Sequence, residues 1–414
     1  MKNLVKVRNK CRICDSKKLV SFISLTKTPL ADLFVKNPKN KEHKFPLDVY
    51  VCTKCFLVQL VNEVNSDLLF GNHYAFYTGS SPSSIGYFED YANSIMARFS
   101  KESKKLIVEI ASNDGTLLKF FIDKGHDVIG IDPAKNVTKE ANANGIPTIT
   151  DFFNTKSALK LASSRDKAGI IIANNVIAHV EDLHDFVKGV KELLHEDGVF
   201  IFECQYFPYL LFNNQFDNIY HEHRSFFSLN PLIFLLKRFN LEAFDVEEHD
   251  TQGGSIRLFV AHKGKRKIEQ RLKKAIYNEE KMKIRDLNTY LGFQARVNYV
   301  KLKLNQILED LKKQNKKIAG YGASAKSNTL LNYCGIGTNY LDYIVDKTPY
   351  KFGLYSPGMH IPVISPEQEI KKYGRPDYYL LLVWNYAAGI IAREHEYIEK
   401  GGKFIIPIPT PHII

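Results

Sequence analysis

One stretch decides the fold of the central part of this chain: Lys105-Leu106-Ile107-Val108-Glu109-Ile110-Ala111-Ser112-Asn113-Asp114-Gly115-Thr116-Leu117-Leu118-Lys119-Phe120-Phe121. A short apolar run ends in a small polar turn, and a helical pattern begins after Gly115. The first run has a carboxylate, Glu109, near its end, and a second apolar run, residues 127–132, follows and ends in the carboxylate Asp132. Strand, turn, helix and strand in this order are typical of the first unit of a Rossmann-like parallel sheet.

The turn of this unit suits a cofactor without a phosphate. Asp132 lies 23 residues after Glu109, where such sites bind ribose hydroxyls. Ala111 and Asn113 replace two glycines of the usual G-x-G-x-G, and their side chains would press against a dinucleotide pyrophosphate. S-adenosylmethionine has no phosphate, so the pattern favours a methyltransferase over a dehydrogenase; a turn without a ligand is the alternative. We expect the strand that follows Asp132 to end at Asp151 and Phe152, near the adenine of the cofactor. The candidate cofactor-binding residues are Glu109, Ala111, Asn113, Gly115, Asp132, Pro133, Asp151, Phe152 and Asn174.

Four of the six cysteines form two C-x-x-C pairs, Cys11 with Cys14 and Cys52 with Cys55. Each pair can direct two thiolates at one ion, and two pairs complete a tetrahedral shell. The remaining two cysteines are isolated, which indicates a reduced protein with a structural metal and not a disulfide scaffold. Two redox sites or a chance pattern are the alternatives. We predict a structural zinc ion.

The rest of the chain extends the α/β pattern. Apolar runs at 168–173 and 199–203 continue the alternation of strands and helices, as in a doubly wound sheet. Residues 265–316 have helical spacing, and strand patterns restart at 317–322, 340–346, 377–384 and 403–407. We predict three parts: a zinc-binding module (1–70), a Rossmann-like class I methyltransferase domain (71–264), and linker helices with a second Rossmann-like domain (265–414).

Composition leaves the class of partner open. The net charge of +12, from 57 Lys and Arg against 45 Asp and Glu, indicates an anionic partner: nucleic acid, a membrane surface or a phosphorylated small molecule. The lysines are widely spread, so charge alone does not select nucleic acid. No run of eighteen apolar residues occurs, and the start lacks the apolar core of a signal peptide. We therefore expect a cytoplasmic protein without a membrane partner.

Five features carry a resemblance that covers nearly the whole chain. They are the two cysteine pairs, VEIASNDG at 108–115, FDNIYHEH at 216–223, GGSIR at 253–257 and GYGASAKS at 320–327. Together they resemble the sugar C-methyltransferases of deoxysugar pathways, which branch mycarose, noviose, tetronitrose and kijanose. The resemblance implies methylation of the carbon next to the ketone, C3, of a 4-keto deoxysugar linked to dTDP, GDP or CDP. We further expect a monomer that binds no nucleic acid.

Methylation at carbon requires a base that removes a proton beside the ketone and a group that stabilises the enolate oxygen. His223 is the candidate base, because an imidazole can be neutral near pH 7. By resemblance, Tyr220 donates to the oxyanion, and Glu222 orients the ring or binds a sugar hydroxyl. A polar loop, or a metal pair that includes His221, is the alternative.

The resemblance places further groups around this segment. A second active-site histidine maps onto His179, for which a capping role is the alternative. The family also has a tyrosine in the aromatic loop before residue 80, where Tyr74 and Tyr77 are both candidates.

The segment 320–327 resembles a phosphate cradle, with glycines after a strand and then lysine and serine at a helix start. A nucleotide-sugar diphosphate would fit there, and the alternative is a tight turn with a solvated lysine. The candidate substrate-binding residues are Gly322, Ala323, Lys326 and Ser327.

Two functions of other classes compete with this interpretation. A nucleic-acid methyltransferase with a zinc module agrees with the net charge, but the chain has no Asn/Asp-Pro-Pro-Tyr segment for a flipped base. A non-catalytic zinc-bearing binding protein would leave residues 220–223 without a role.

Overall fold

The computed structural model describes residues 4–65, 68–69, 77–80 and 82–414. The N-terminal part is built from short strands whose side chains alternate between core and surface. In β3 the side chains of Phe45, Leu47, Val49 and Val51 are buried, whereas those between them are half-buried, which is the period of two that a sheet imposes. Among the described residues of this part, the strands are β1 (Val5–Val7), β2 (Leu19–Thr28), β3 (Phe45–Cys52), β4 (Val58–Leu60) and β5 (Asn62–Val64).

Eight strands follow in the central part, and seven of them form one sheet. They are β6 (Ile107–Ile110), β7 (Val128–Asp132), β8 (Thr148–Thr150), β9 (Ala168–Asn174), β10 (Leu194–Gln205), β11 (Ser225–Phe226), β12 (Leu241–His249) and β13 (Ser255–His262). The sheet order is β12-β13-β10-β9-β6-β7-β8, in which β13 runs antiparallel to both of its neighbours, β10 and β12. Chain order reverses between β6 and β9, and ligands of open α/β sheets bind at such a switch point.

Helices cover both faces of this sheet, which explains why its inner parallel strands β6, β7 and β9 are buried and mostly apolar. The predicted Rossmann-like strand, turn and helix is therefore confirmed. The helices of this part are Pro82–Arg98, Thr116–Ile122, Lys135–Ala143, Thr155–Ser164, Leu183–Leu193, Phe207–Phe212 and Leu229–Lys237.

The short strand β11 belongs to a different sheet from its sequence neighbours. It pairs with β4, so the N-terminal sheet has the order β11-β4-β3-β2. Ser225 lies opposite Gln59 and Phe226 opposite Val58. A segment of the central part thus forms an edge of the N-terminal sheet, and the predicted boundary after residue 70 remains a prediction.

The C-terminal part contains a second, mostly parallel sheet, as predicted. Its order is β16-β15-β14-β17-β18-β19, with only β19 antiparallel to its neighbour. The strands are β14 (Ile318–Tyr321), β15 (Ile344–Val345), β16 (Val363–Ile364), β17 (Tyr378–Leu381), β18 (Lys403–Ile406) and β19 (His412–Ile413). The helices from residue 270 onward are Gln270–Lys281, Asn288–Leu291, Phe293–Lys313, Ala325–Cys334, Pro366–Gln368, Ala387–Arg393 and His395–Glu399.

An aromatic core joins the parts. The ring of Phe22 in β2 lies 5.4 Å from Tyr290 and 6.1 Å from Phe293, both in the linker helices, and 6.4 Å from Phe207. All four side chains are buried, and burial of one such side chain contributes roughly 1.5–3 kcal/mol. The N-terminal sheet, the central part and the linker helices therefore share core residues.

Candidate active site

A cavity of about 2390 Å³ lies at the carboxyl ends of β6, β7, β9 and β10 and extends to the carboxyl ends of β14 and β15 in the C-terminal sheet. It brings together predicted site residues that lie far apart in sequence. Those that line it are Tyr77, Glu109, Ala111, Asn113, Asp132, Pro133, Phe152, Asn174, His179, Tyr220, Glu222, His223, Gly322, Ala323 and Lys326. Gly115, Asp151 and Ser327 do not line it, and Tyr74 lies outside the described residues.

The loop after β6 alternates in backbone conformation. Ala111, Asn113 and Gly115 have φ angles of 55°, 53° and 78°, in the left-handed region that favours glycine. A Cβ on Gly115 would meet Ile146 at 2.7 Å, so packing as well as backbone conformation requires this glycine. Gly115 therefore packs against Ile146 and does not line the cavity, whereas Ala111 and Asn113 do.

Asp132 fastens this loop to the end of β7. Its Oδ2 accepts from the backbone N–H of Asn113 at 3.0 Å, and its Oδ1 accepts from that of Ala134 at 2.8 Å. Asp151, at the end of the next strand, is exposed and accepts only from the N–H of Phe152, at 2.8 Å, among the bonds found in the described part of the chain. Of these neighbouring carboxylates, Asp132 is therefore the one that faces the cavity.

The acceptors of this region fit S-adenosylmethionine. Burial raises the pKa of Glu109 well above its ordinary value, and Oε2 has no hydrogen-bond partner within the described residues. Burial also raises the pKa of Asp132. The cofactor carries donors, an ammonium group and two ribose hydroxyls, that would satisfy such buried acceptors.

The two predicted histidines are neighbours. The ring centroids of His179 and His223 are 5.0 Å apart, and the ring of Tyr220 lies 3.9 Å from that of His223. Nδ1 of His223 lies 2.7 Å from the carbonyl oxygen of Asn218, and Nδ1 of His179 lies 2.9 Å from that of Glu222. Because a carbonyl only accepts, each Nδ1 carries the proton, and Nε2 of the neutral ring carries the lone pair.

Burial sets the charge of this cluster. It lowers the pKa of His223 to about 3, with a further contribution from His179, and it lowers the pKa of His179 to about 4. It raises the pKa of Glu222 to about 8, with a contribution from Asp32. At neutral pH the two imidazoles are therefore uncharged, and Glu222 is largely a protonated donor.

His221 points away from these groups. Its Nε2 donates to the carbonyl of Pro46 at 3.2 Å, and its ring packs edge-on against Phe45. It does not line the cavity, whereas residues 220, 222 and 223 do. Among the described residues, His221 and His223 do not belong to a cluster with the geometry of a metal site.

Lys326 lies at the other end of the cavity, at the start of the helix Ala325–Cys334. Its Nζ donates to Oδ1 of Asn385 and lies 5.0 Å from the ring centroid of Trp384. Nε1 of Trp384 donates to the buried Asp217 at 2.6 Å. Burial lowers the pKa of Lys326 to about 8, although the charge of Asp217 opposes this. Ser327 lies beneath the surface, where its hydroxyl forms a capping box with Ser324.

Sequence analysis missed several residues of the cavity wall. Asp346 accepts from the N–H of Ala323 at 2.6 Å and from that of Thr348 at 2.7 Å, which repeats the arrangement of Asp132 in the second sheet. The position of Asp346 directly after β15, the second strand of this sheet in chain order, is the sequence signal that could have identified it. Gln205 lies at the end of β10, and its amide has buried atoms without a hydrogen-bond partner among the residues described.

The four paired cysteines form a compact cluster. Their sulfurs lie within 4.8 Å of one another, with Cys11 3.4 Å from Cys55 and Cys14 3.5 Å from Cys52. A tetrahedral shell with Zn–S bonds of about 2.3 Å has sulfurs about 3.8 Å apart, so the cluster fits zinc. The isolated Cys204 and Cys334 are buried and free.

Within the described ranges, none of the helices has the length and apolar character that crossing a membrane requires.

Three family models match successive parts of the chain. A zinc binding domain matches residues 11–70, a methyltransferase domain matches 86–246, and a C-methyltransferase C-terminal domain matches 250–409. The C-methyltransferase NovU of Streptomyces niveus is 36% identical over 417 residues, which cover 100% of this chain and 99% of NovU.

The following solved structures each match less than half of this chain. Magnesium protoporphyrin IX methyltransferase from Synechocystis PCC 6803 with bound SAH is 13% identical, with a TM-score of 0.34, over 42% of this chain and 82% of that one. The PH0226 protein of Pyrococcus horikoshii OT3 is 17% identical, with a TM-score of 0.36, over 46% and 96% of the two chains.

The cysteine cluster fits zinc, and the loop after β6 together with Asp132 fits S-adenosylmethionine. The similarity to NovU extends over the full length of the chain and so includes both sites. The chain therefore belongs to the zinc-containing C-methyltransferase family and is an S-adenosylmethionine-dependent C-methyltransferase.

Proposed function

We propose that the chain methylates C3 of a 4-keto deoxysugar that is linked to a nucleotide. The observation that carries this proposal is that one cavity is lined by the imidazoles of His179 and His223 together with Asp132 and Lys326. Such a cavity could hold a methyl donor and a large anionic acceptor at once. The identity of 36% with NovU over the full length supports the same class of reaction.

The acceptor sugar, and not the methyl donor, is the substrate that the enzyme has to activate. Bound S-adenosylmethionine supplies an electrophilic methyl group, whereas the sugar carbon becomes nucleophilic only when the proton beside the ketone leaves. His223 accepts that proton on Nε2, the ring nitrogen whose lone pair its Nδ1 contact leaves available. The electron pair of the broken C–H bond moves into the enolate, and the new C–C bond then forms at C3. The proton departs to solvent after turnover.

The burial that lowers the pKa of His223 does not prevent this role. The imidazolium forms beside an enolate, and this opposite charge offsets the cost of a buried cation. Tyr220, whose ring lies 3.9 Å from that of His223, is the proposed donor to the enolate oxygen. The protonated Glu222 donates to a sugar hydroxyl, and His179 and Tyr77 bound the same space.

The nucleotide binds at the C-terminal end of the cavity in this proposal. Lys326 is a buried cation at a helix start, next to backbone N–H groups, which is a setting suited to a diphosphate. Gly322 and Ala323 line the cavity next to Lys326. The hydroxyl of Ser327 donates to the carbonyl of Gly322 and so stabilises this loop from its buried side. A dTDP-, GDP- or CDP-linked sugar offers the same diphosphate.

Proton exchange tests the proposal separately from methyl transfer. The enzyme is incubated in D₂O with S-adenosylhomocysteine and each of a panel of 4-keto nucleotide sugars, and deuterium at C3 is followed by NMR. We expect wild-type exchange, and we expect His223→Asn to lose exchange and methylation while it binds both ligands. Asparagine suits this test because its amide can replace the Nδ1 donor to Asn218.

His412→Asn is the matched control, because His412 is exposed on the last strand. It should exchange and methylate as the wild type does. If His223→Asn retains activity while His179→Asn or Tyr77→Phe abolishes it, the base lies elsewhere in the cavity. If the wild type exchanges and methylates none of the nucleotide sugars, the proposed substrate class is wrong.

A further inference from the structure

The zinc knuckle lies against the loop that carries His179. Arg12, between the ligands Cys11 and Cys14, has a side chain that is only 1% exposed. Its Nη1 donates to the backbone carbonyl of Glu181 at 3.2 Å, two residues after His179. Its backbone N–H donates to Oε1 of Gln59 at 2.9 Å. The side chain between two metal ligands thus reaches into the wall of the methyl-transfer cavity.

The next residue of the knuckle anchors the far side of the same loop. The carbonyl of Ile13 accepts from Nε2 of His184 at 2.8 Å and from Nη1 of Arg238 at 2.6 Å. His184 lies in the first turn of the helix Leu183–Leu193, whose N-terminus Asp182 caps through bonds to two backbone N–H groups. The knuckle therefore holds the loop at residue 181 and again at residue 184.

The second histidine is tied to the same module. The carbonyl of Arg224, which follows His223, accepts from the N–H of Leu60 at 3.0 Å, and its Nη2 donates to the carbonyl of Val64 at 3.2 Å. Nη1 of Arg224 also lies 3.6 Å from the carboxylate of Glu181. Glu181 thus contacts Arg12 through its backbone and Arg224 through its side chain.

Arg12 and Arg8 offer a natural comparison. Both form an ion pair with Oε1 of Glu63. Arg8 is more exposed, with 25% of its side chain accessible, and its hydrogen bonds in the described part of the chain are to residues of the N-terminal part. Only Arg12 joins this ion pair to the carbonyl of Glu181.

We propose that Arg12 is a positioning residue for methyl transfer: it fixes Glu181, and through that loop it sets His179 against His223. The zinc module then has a second role besides its own folding, because its knuckle supports one wall of the active site. The effect on catalysis rests on the proposed roles of the two histidines. The effect on the loop does not depend on them.

Hydrogen–deuterium exchange of the zinc-loaded, full-length protein tests this. In Arg12→Gln we expect amides of residues 177–182 to exchange at least tenfold faster, while zinc content stays at one ion per chain. We expect kcat to fall at least tenfold, with the KM for S-adenosylmethionine within twofold of wild type. Arg8→Gln, which loses an ion pair to the same glutamate, should change none of these values by more than twofold.

The proposal would be overturned if Arg12→Gln and Arg8→Gln gave the same amide exchange and the same kcat, whether both variants changed or both kept wild-type values. If Arg12→Gln loses zinc or does not fold, His184→Ala decides, because it removes a bond to the knuckle and leaves the ion pairs intact. Faster exchange at residues 177–182 with a lower kcat then supports the proposal, and wild-type values contradict it. If wild-type protein modifies no nucleotide sugar, the proposed function fails, yet amide exchange still reports on Arg12.

Discussion

The imidazole rings of His179 and His223 lie with their centroids 5.0 Å apart and their planes at 57°, although different sheets hold them. His179 follows β9 of the central sheet, whereas His223 precedes β11, an edge strand of the N-terminal sheet. Movement of one sheet relative to the other would change the distance between the rings. The geometry of this site therefore depends on how the two sheets pack together.

Asp132→Ala should weaken binding of S-adenosylmethionine by about 1–3 kcal/mol, or roughly 5- to 150-fold in Kd. The change removes the predicted acceptor for the ribose and also frees the N–H groups of Asn113 and Ala134. Isothermal titration calorimetry measures the effect. Asp151→Ala is the control, since Asp151 is exposed and does not line the cavity, and it should stay within twofold. Equal losses in both variants would reject the assignment to Asp132.

Lys326→Ala should raise the KM for the nucleotide sugar by roughly 10- to 100-fold, because a charged hydrogen bond contributes about 1.5–3 kcal/mol. Affinity for S-adenosylmethionine should not change. Burial lowers the pKa of Lys326 to about 8, so the wild-type ammonium is lost as pH rises through 8. The wild-type KM should therefore increase above pH 8, and the variant should lack this increase.

Ser327→Ala is the matched control for this experiment, because its hydroxyl completes the capping box and does not face the cavity. It should lower stability by about 1 kcal/mol and change the KM less than threefold. A variant of Lys326 that loses cofactor affinity but keeps the sugar KM would move the diphosphate site elsewhere.

Features whose chemistry is local could be predicted from the sequence. The spacing within two C-x-x-C pairs by itself lets four thiolates meet at one ion. An apolar strand with Glu109 near its end, followed by a polar turn and a helix, by itself indicates a parallel sheet. The central sheet, the second sheet and the cysteine cluster were predicted for this reason.

Contacts between distant segments could not be predicted. The strand β11 has only two residues, so it shows no periodicity, and its pairing with β4 arises from packing. The contact of Arg12 with Glu181 spans the N-terminal and central parts, and neither residue stands in a pattern. Such contacts decide which predicted residues share one cavity.

Cys52→Ser should release zinc and unfold the N-terminal sheet. Structural zinc in small modules contributes roughly 10–16 kcal/mol, and Cys52 ends the inner strand β3. Because β3 pairs with β4 and β4 with β11, methyl transfer should fall as well. Metal analysis and hydrogen–deuterium exchange measure both effects. Cys334→Ala, at a buried cysteine outside the cluster, should keep one zinc ion per chain. An intact N-terminal sheet without zinc would contradict the prediction.

Acid should destabilise the fold through His221. Burial lowers its pKa from 6.5 in the unfolded chain to about 4, so between these values the unfolded state binds more protons. The free energy of unfolding should therefore decrease as pH falls below 6.5, by up to about 1.4 kcal/mol per pH unit for this group, and the loss should level off below pH 4. Urea titrations between pH 7.5 and 4.5 measure this slope.

His221→Gln can keep the donor to Pro46 and removes the titrating ring. The slope of its unfolding free energy against pH should therefore be smaller by up to about 1.4 kcal/mol per pH unit, which corresponds to one proton. The same slope in His221→Gln as in the wild type would show that other groups cause the acid sensitivity.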